Sequence, residues 1–253
     1  MGIAQYFHRA APAQASTISR STSTNSLFWP LLISNVVLSA LSIANLGLIS
    51  SMVGWLLDQK HNVHSYRIDY EGGPFNLNVE PAHMWADQGH ESNGVAGYGF
   101  FLGLFGMFVA WRVRKPTILT TAQRPHKTLT ALLILQFLAV LFTLTAFIFV
   151  FAVTYQTNDQ HIRAPVAANN QGVNYAEHKW TPETWFKAVL ELPLTDSDKR
   201  DEIDSKVTNM VAWRWMLLPI FIVDIIAFGV TTMAWLKQRK GTTRADSANS
   251  IEK

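Results

Sequence analysis

Residues 129–155 read LTALLILQFLAVLFTLTAFIFVFAVTY, and they decide the fold class because none of them is charged. A hydrocarbon core of about 30 Å needs an apolar helix of about 20 residues to cross it. A helix in the core of a soluble protein would normally keep a polar face, and this stretch has none. We therefore predict a transmembrane helix here.

Three further stretches are long enough to span a membrane and almost free of charge: residues 28–57, 94–111 and 213–235. Only 15% of the chain is charged, against about 25% in an ordinary soluble domain. Aromatic residues that prefer the headgroup level of a bilayer stand at the ends of the spans: Trp29, Trp55, Trp111, Tyr155, Trp213, Trp215 and Trp235. The sequence therefore predicts an all-α polytopic membrane protein with four transmembrane helices.

The charges between the spans predict the orientation. Residues 112–128 carry five bases and no acid, residues 1–27 carry two bases and no acid, and residues 236–253 open with three bases. The long loops are acidic, with six acids to two bases in residues 58–93 and nine acids to six bases in residues 156–212. Because Lys and Arg of short loops stay in the cytoplasm, we place both tails and the 112–128 loop inside and the long loops outside or in a lumen.

The N-terminal tail is compatible with two cellular locations. We expect residues 1–27 to form a disordered cytoplasmic tail of a plasma-membrane or endomembrane protein. The alternative is a mitochondrial presequence, because the tail is acid-free, is rich in Ser and Thr, and carries Arg9 and Arg20. That alternative places the protein in the mitochondrial inner membrane.

The chain contains no cysteine, although loops that face an oxidising compartment are free to form disulfides. Four spans with a long first outer loop resemble the layout of claudins and of fungal cortical tetraspan proteins. The outer-loop cysteine signatures of those families, and of tetraspanins, are missing from this sequence. The resemblance is therefore limited to topology and implies no function.

Small residues recur at steps of three and four along the first two spans. The first span carries Ala40, Ala44, Gly47, Ser51 and Gly54, and the second carries Gly99, Gly103, Gly106 and Ala110. Such faces are nearly flat, so that two helix backbones can approach closely in lipid. We expect the two faces to pack against each other; the alternative is that one of them is a dimerisation face.

One acid lies at the centre of the fourth span. Asp224 follows Pro219 by five residues, and a carboxylate at this depth costs about 2.5–3.5 kcal/mol on insertion scales. The polar groups that we place at a similar depth, Asn45 and Thr143, are neutral, as is Gln136 nearer the cytoplasmic end. Two interpretations stay open: an interhelical hydrogen bond, and coupling to protons or ions.

The two long loops are patterned like a small outer cap. Apolar residues alternate with polar ones on both sides of the turn residues 72–74, which predicts a β-hairpin: Tyr66, Ile68 and Tyr70, then Phe75, Leu77 and Val79. In the second loop we expect an irregular run over 158–174 and then a helix capped by Thr181 and ended by Pro193. A second helix should begin at Thr195 or Asp196 and continue into the fourth span.

A candidate metal site lies in the first outer loop. If residues 81–91 are helical, His83, Asp87 and His90 share one face, with Glu91 beside them. His and carboxylate ligands at such a spacing can bind a divalent metal. The alternative is a solvated surface with no cofactor, which we favour because no metalloprotease pattern is present.

Two functions remain open. The sequence contains no nucleotide-binding loop, no serine nucleophile elbow and no cysteine nucleophile. We therefore expect a non-enzymatic membrane scaffold or accessory subunit of a membrane complex, in contact with lipid and with other membrane proteins or a second copy of itself. The alternative is a proton- or ion-coupled transporter or membrane enzyme that uses Asp224 and the His83–Glu91 cluster. The net charge of +3 is the sum of the basic segments on one side of the membrane and the acidic loops on the other. It therefore does not indicate binding to nucleic acid.

Overall fold

The structure of the protein, a computed structural model, describes the backbone of residues 27–114 and 127–251 and the side chains of these ranges up to residue 240. The predicted disordered tail, apart from Leu27, and the middle of the basic 112–128 loop lie outside the described residues.

Four of the described helices are long and apolar enough to cross a membrane. They are α1 (Phe28–Asp58), α2 (Asp87–Arg114), α3 (Lys127–Gln156) and α6 (Ser197–Ile251). Each contains one predicted span and extends past it. A π-helical turn, Gln59–Val63, lengthens α1 further.

The four long helices form a bundle whose packing follows a heptad pattern. Helix α1 packs against α2 and α6, and α3 packs against the same two helices, so α1 and α3 lie at opposite corners. Steps of three and four separate the buried residues along α3: Leu129, Leu132, Gln136, Ala139, Thr143, Ala146, Val150 and Val153. This spacing is typical of a helix bundle with a left-handed supercoil.

The outward faces of the bundle are apolar. Large hydrophobic side chains are exposed along all four helices, among them Ile33, Ile43, Phe101, Phe108, Ile134, Leu138, Ile148, Ile222 and Ile226. Soluble monomers rarely expose apolar patches larger than a few hundred Å². Asn35, Asn45, Gln136, Thr143 and Asp224 lie on the inside instead.

The second long loop runs directly into the fourth long helix, as predicted. Asp196 caps the start of α6, because its Oδ1 accepts hydrogen bonds from the backbone N–H groups of Asp198 and Lys199 at 2.9 and 3.2 Å. The helix then continues past Pro219 without interruption.

The predicted hairpin is confirmed and forms one side of a cap over the bundle. Strands β1 (Ser65–Ile68) and β2 (Phe75–Asn78) pair antiparallel, with Ser65 opposite Asn78 and Ile68 opposite Phe75. The alternation of the sequence buries one face of the hairpin. The edge of β1 that does not pair with β2 is bound to the second long loop, since the N–H of Thr195 donates to the carbonyl of Arg67 at 3.0 Å.

The cap also contains the predicted helix α5 (Pro182–Leu190), with Thr181 and Thr184 forming a capping box. Trp180 and Trp185 are completely buried. The indole N–H of Trp185 donates to the carbonyl of Val79 at 2.8 Å, so this ring joins α5 to the hairpin. These rings thus lie in the core of the cap, a placement that the sequence leaves open.

The prediction for the start of the second loop is wrong in one respect. The irregular run expected over 158–174 contains a short helix, α4 (Ala164–Asn169), which begins with Pro165 in its first turn. Ala167 is buried, and α4 packs against β2. The contact with the hairpin, which is remote in sequence, stabilises a helix too short to form alone.

Candidate functional site

The strongest candidate site lies inside the bundle, where polar side chains replace apolar ones in the heptad pattern. We call the end of the bundle that carries the cap the cap end, and the opposite end the tail end. Helices α1 and α3 run from the tail end to the cap end, and α2 and α6 run back.

Two hydrogen bonds cross the bundle at heptad-related positions. The side-chain amide of Gln136 on α3 donates to Asn35 Oδ1 on α1 at 3.1 Å. Seven residues later on α3, Thr143 Oγ1 donates to Asp224 Oδ2 on α6 at 2.7 Å. All four side chains are almost completely buried. Asp224, Thr143 and Gln136, which the sequence singles out, thus lie on the inner face of the bundle.

The heptad step places further polar residues in the same two layers. Ser42 follows Asn35 by seven residues on α1, and Thr231 follows Asp224 by seven on α6, and both are fully buried. Sequence reasoning missed Asn35, Ser42 and Thr231. Their spacing, which equals that of Gln136 and Thr143, is the signal that could have found them.

Asn45 lies one turn from Ser42 on the same buried face of α1. We call Ser42, Asn45, Thr143 and Asp224 the central polar cluster. Several of its polar atoms are buried and have no hydrogen-bond partner within the described part of the chain: Ser42 Oγ, both side-chain amide atoms of Asn45, and Asp224 Oδ1. Because buried polar groups are normally paired, these atoms mark the cluster as a candidate site.

Along α1 and α3, the central polar cluster lies between two apolar cores. On α3, Ala139 belongs to the core at the tail end and Ala146 to the core at the cap end. On α1 the corresponding residues are Leu38 and Ile49. The polar layer is therefore surrounded by packed apolar side chains on both sides, where the dielectric constant is low and a charge interacts strongly with its neighbours.

The small residues of α2 bring it very close to α1. A Cβ atom added at Gly99 would overlap the hydroxyl of Ser42, and one at Gly103 would overlap the backbone of Asn35 and Ser39. One at Gly106 would overlap the side chain of Asn35. The glycines of α2 therefore form a tight contact with α1.

The small residues of α1 do not contact those of α2. The prediction that the two faces pack against each other is therefore wrong. Ala40, Ala44, Gly47, Ser51 and Gly54 are all exposed on the outside of the bundle. A Cβ atom at Gly47 or Gly54 would meet no described atom within 4 Å. Helix α1 instead presents Asn35, Ser39 and Ser42 to α2, because its buried face is set by the heptad pattern. We call the five exposed residues the small-residue face of α1.

The cap is attached to the bundle by a network around Glu202 on α6. Its carboxylate accepts hydrogen bonds from the indole of Trp55 at 2.6 Å and the side chain of Gln59 at 3.2 Å, both at the cap end of α1, and from Lys199 at 2.8 Å. The hydroxyl of Tyr66 in β1 donates to Gln59 Oε1 at 2.8 Å. One carboxylate thus connects α1, α6 and, through Gln59, the hairpin.

The network shifts the acidity of two of its members. Burial alone would raise the pKa of Glu202, but the hydrogen bonds from Lys199 and Trp55 outweigh this effect and lower the pKa below its ordinary value of 4.5. Burial and the nearby charge of Glu202 raise the pKa of the Tyr66 phenol. Glu202 is therefore ionised and Tyr66 neutral at physiological pH.

A second buried acid, Glu183 on α5, is neutralised by bases. Its Oε1 lies 2.5 Å from Lys187 Nζ and 3.3 Å from an Nη atom of Arg214 on α6. The guanidinium of Arg214 also lies over the ring of Phe151 on α3, 5.3 Å from its centroid. These contacts join α5 to α6, and α6 to the cap-end part of α3.

The candidate metal ligands of the first long loop do not form a common helical face. Helix α2 begins at Asp87, and Met84 pairs with Trp180 in an isolated bridge, so His83 lies in a bend before the helix. His83, Asp87 and His90 are exposed and Glu91 is partly so. Among the described residues, no group of three or more His, Cys, Asp or Glu is arranged to hold a metal ion.

Comparison with known proteins adds nothing to the geometry of the bundle. No protein-family model, no curated protein and no solved structure matches this chain.

Proposed function

We propose that the protein is an integral membrane protein with four transmembrane helices that acts, without catalysis, as a scaffold or accessory subunit of a membrane complex. Membrane insertion is supported by the four long apolar helices and by their exposed apolar side chains. The positive-inside rule places both tails in the cytoplasm and the cap on the other side.

The observation that carries the accessory role is the small-residue face of α1. It runs from Ala40 to Gly54 on the outside of the bundle, with open space beside its two glycines. In lipid, helices associate through faces of this kind because small residues allow close backbone contact and interhelical packing. The face is thus available for a transmembrane helix of another protein or of a second copy.

The construction of the cap supports the same role. Its aromatic core, which includes Trp180, Trp185 and Phe186, is continuous with the apolar core at the cap end of the bundle. The Glu202 and Glu183 networks hold the cap in place at two further points. A cap fixed in this way presents a constant surface to partners outside the membrane.

Ion-coupled transport is the second candidate function, and the central polar cluster is the observation that favours it. Its midpoint acid, Asp224, lies where functional acids of transporters occur. The outer His83–Glu91 cluster adds no support, because His83 lies outside α2 and no group of three or more His, Cys, Asp or Glu among the described residues is arranged to hold a metal ion.

The accessory role is tested by filling the small-residue face. The double variant Gly47→Leu, Gly54→Leu adds bulk to the outside of α1, and Gly229→Leu on α6, which also borders open space, is the matched control. Each protein is purified in mild detergent from its native membrane, and the particle mass and composition are measured by mass photometry and mass spectrometry. We expect a stoichiometric partner or second copy with the wild type and the control, and its loss from the double variant.

Two results would contradict the proposal. One is a single wild-type chain in every preparation. The other is a partner that the double variant retains at full stoichiometry, since that partner would not use the small-residue face.

A further inference from the structure

The central polar cluster combines one acid with unpaired neutral oxygen atoms at one level of the bundle. Thr143 donates to Asp224 Oδ2 at 2.7 Å, while Asp224 Oδ1 has no partner among the described residues. Both side chains are 2% exposed. The free carboxylate oxygen therefore lies inside the bundle and away from solvent.

Ser42 lies at the same level as Thr143. Helices α1 and α3 run in the same direction, and Asn35 and Gln136 touch across the bundle. Seven residues advance each helix by about 10.5 Å, which brings Ser42 and Thr143 to one height. The hydroxyl of Ser42 has no hydrogen-bond partner in the described ranges.

Asn45 lies on the same buried face of α1, one turn nearer the cap end than Ser42. Side chains on a helix lean toward its N-terminus. Asn45 on α1 therefore leans toward the tail end and the level of Ser42, whereas Asp224 on the antiparallel α6 leans toward the cap end and the level of Asn45. Both amide atoms of Asn45 lack a partner within residues 27–114 and 127–240, as Asp224 Oδ1 does.

An ionised carboxylate in this environment needs a positive counter-charge. The nearest base along α6 is Arg214, ten residues and about 15 Å away along the helix, and it is bound to Glu183. Carboxylate, hydroxyl and amide oxygens are hard ligands that suit alkali and alkaline-earth cations rather than transition metals. One acid balances one positive charge, which favours a monovalent ion.

We propose that the central polar cluster binds one monovalent cation, with Asp224 Oδ1, Ser42 Oγ and Asn45 Oδ1 as ligands. The bound ion links α6 to α1, and Thr143 positions the carboxylate. The site is independent of the accessory role, because the small-residue face lies on the opposite side of α1.

The test measures thermal unfolding of the purified full-length protein in nanodiscs at fixed pH. Sodium chloride replaces N-methyl-D-glucamine chloride at constant ionic strength, with potassium and lithium in parallel. A ligand that binds only the folded state raises the melting temperature with its concentration. We expect such a rise for the wild type, its loss in Asp224→Asn, and an increase of about tenfold or more in the half-maximal sodium concentration for Ser42→Ala.

Matched controls separate the site from general salt effects. Asp204→Asn removes an exposed acid from the same helix, and Ser51→Ala removes an exposed hydroxyl from α1. Both variants should keep the wild-type response, and so should Gly47→Leu, Gly54→Leu, whatever happens to the partner. If Asp224→Asn does not fold, binding of radioactive sodium to the wild type and to Ser42→Ala gives the same comparison, with about one ion per wild-type chain expected.

Three results would overturn the proposal. The first is a wild-type melting temperature that is the same in every cation. The second is a sodium response that Asp224→Asn retains. The third is stability that follows pH alone, identically in sodium and in N-methyl-D-glucamine, since Asp224 would then be neutralised by a proton.

Discussion

At the scale of single residues, the decisive feature is how the charges of two buried acids, Glu183 and Asp224, and of the partly buried Glu202 are compensated. Glu183 is bound by two bases, and Glu202 by one base and neutral donors. Asp224 has one hydroxyl donor, Thr143, within the described residues. Because an uncompensated charge is costly away from water, the three acids have different consequences: the first two fix the cap, and the third marks a site.

Replacement of Glu202 by Gln should destabilise the protein in a pH-dependent way. The folded-state pKa lies below the ordinary value of 4.5, so the contribution of the ionised carboxylate is complete above that pH and is lost as the pH falls through the lowered pKa. At neutral pH we expect Glu202→Gln to lose on the order of 1 kcal/mol of stability.

Thermal unfolding of both proteins across the acidic and neutral range measures this difference. It should shrink steadily below about pH 4.5, while Asp204→Asn, which removes an exposed acid from the same helix, should show no comparable loss at neutral pH. A difference that grew toward low pH would show that the carboxylate does not stabilise the fold.

At the scale of elements, the contact between α1 and α2 is so close that it leaves no room for a Cβ atom at Gly103. Gly103 faces the carbonyl oxygen of Asn35 and the backbone nitrogen of Ser39 so closely that a Cβ atom would overlap both. Backbone atoms cannot move aside as a flexible side chain can. The two helices would therefore have to separate to admit even one methyl group.

We expect Gly103→Ala to destabilise the bundle by about 1–3 kcal/mol. Gly97→Ala is the matched control, since it lies on the same helix with no described atom within 4 Å of the added Cβ. Alanine is the better helix former by up to about 1 kcal/mol, so the control should be neutral or stabilising. Equal unfolding temperatures for the two variants would mean that the close contact is absent.

At the scale of the whole molecule, the two ends of the bundle differ. Both long loops fold into one cap, while Leu27, Arg114 and Lys127, the described residues next to the N-terminal tail and the basic loop, lie at the other end. The antiparallel order of the helices requires this separation, and the charge count predicts how the bundle is oriented in a membrane.

Single-cysteine labelling tests the orientation cleanly because the chain has no cysteine of its own. A cysteine at Gln171, exposed in the cap, should react with a membrane-impermeant maleimide in sealed right-side-out membranes. Cysteines introduced at Ser21 and Gln123 should react only after permeabilisation, and the unmodified chain should remain unlabelled. The opposite pattern would show that the basic loop does not face the cytoplasm.

The sequence by itself determined the features that depend on local composition and periodicity. The four apolar helices, the hairpin on either side of residues 72–74, and the cap of α5 at Thr181 all follow from patterns within a few turns of chain. Length and hydropathy are enough for a span, and alternation is enough for a strand with one buried face. Asp224 could be identified as a candidate site residue because it is an acid at the centre of an apolar span, which the sequence alone shows.

Only the tertiary structure decided which faces and partners these elements use. The small residues of α1 fit the same spacing rule as those of α2, yet they lie outside the bundle, because the buried face of α1 is set by packing against two helices at once. His83 lies outside α2 because its neighbour Met84 pairs with Trp180 across about a hundred residues. The partner of Asp224 and the burial of Trp180 likewise depend on contacts between segments remote in sequence, which no local pattern encodes.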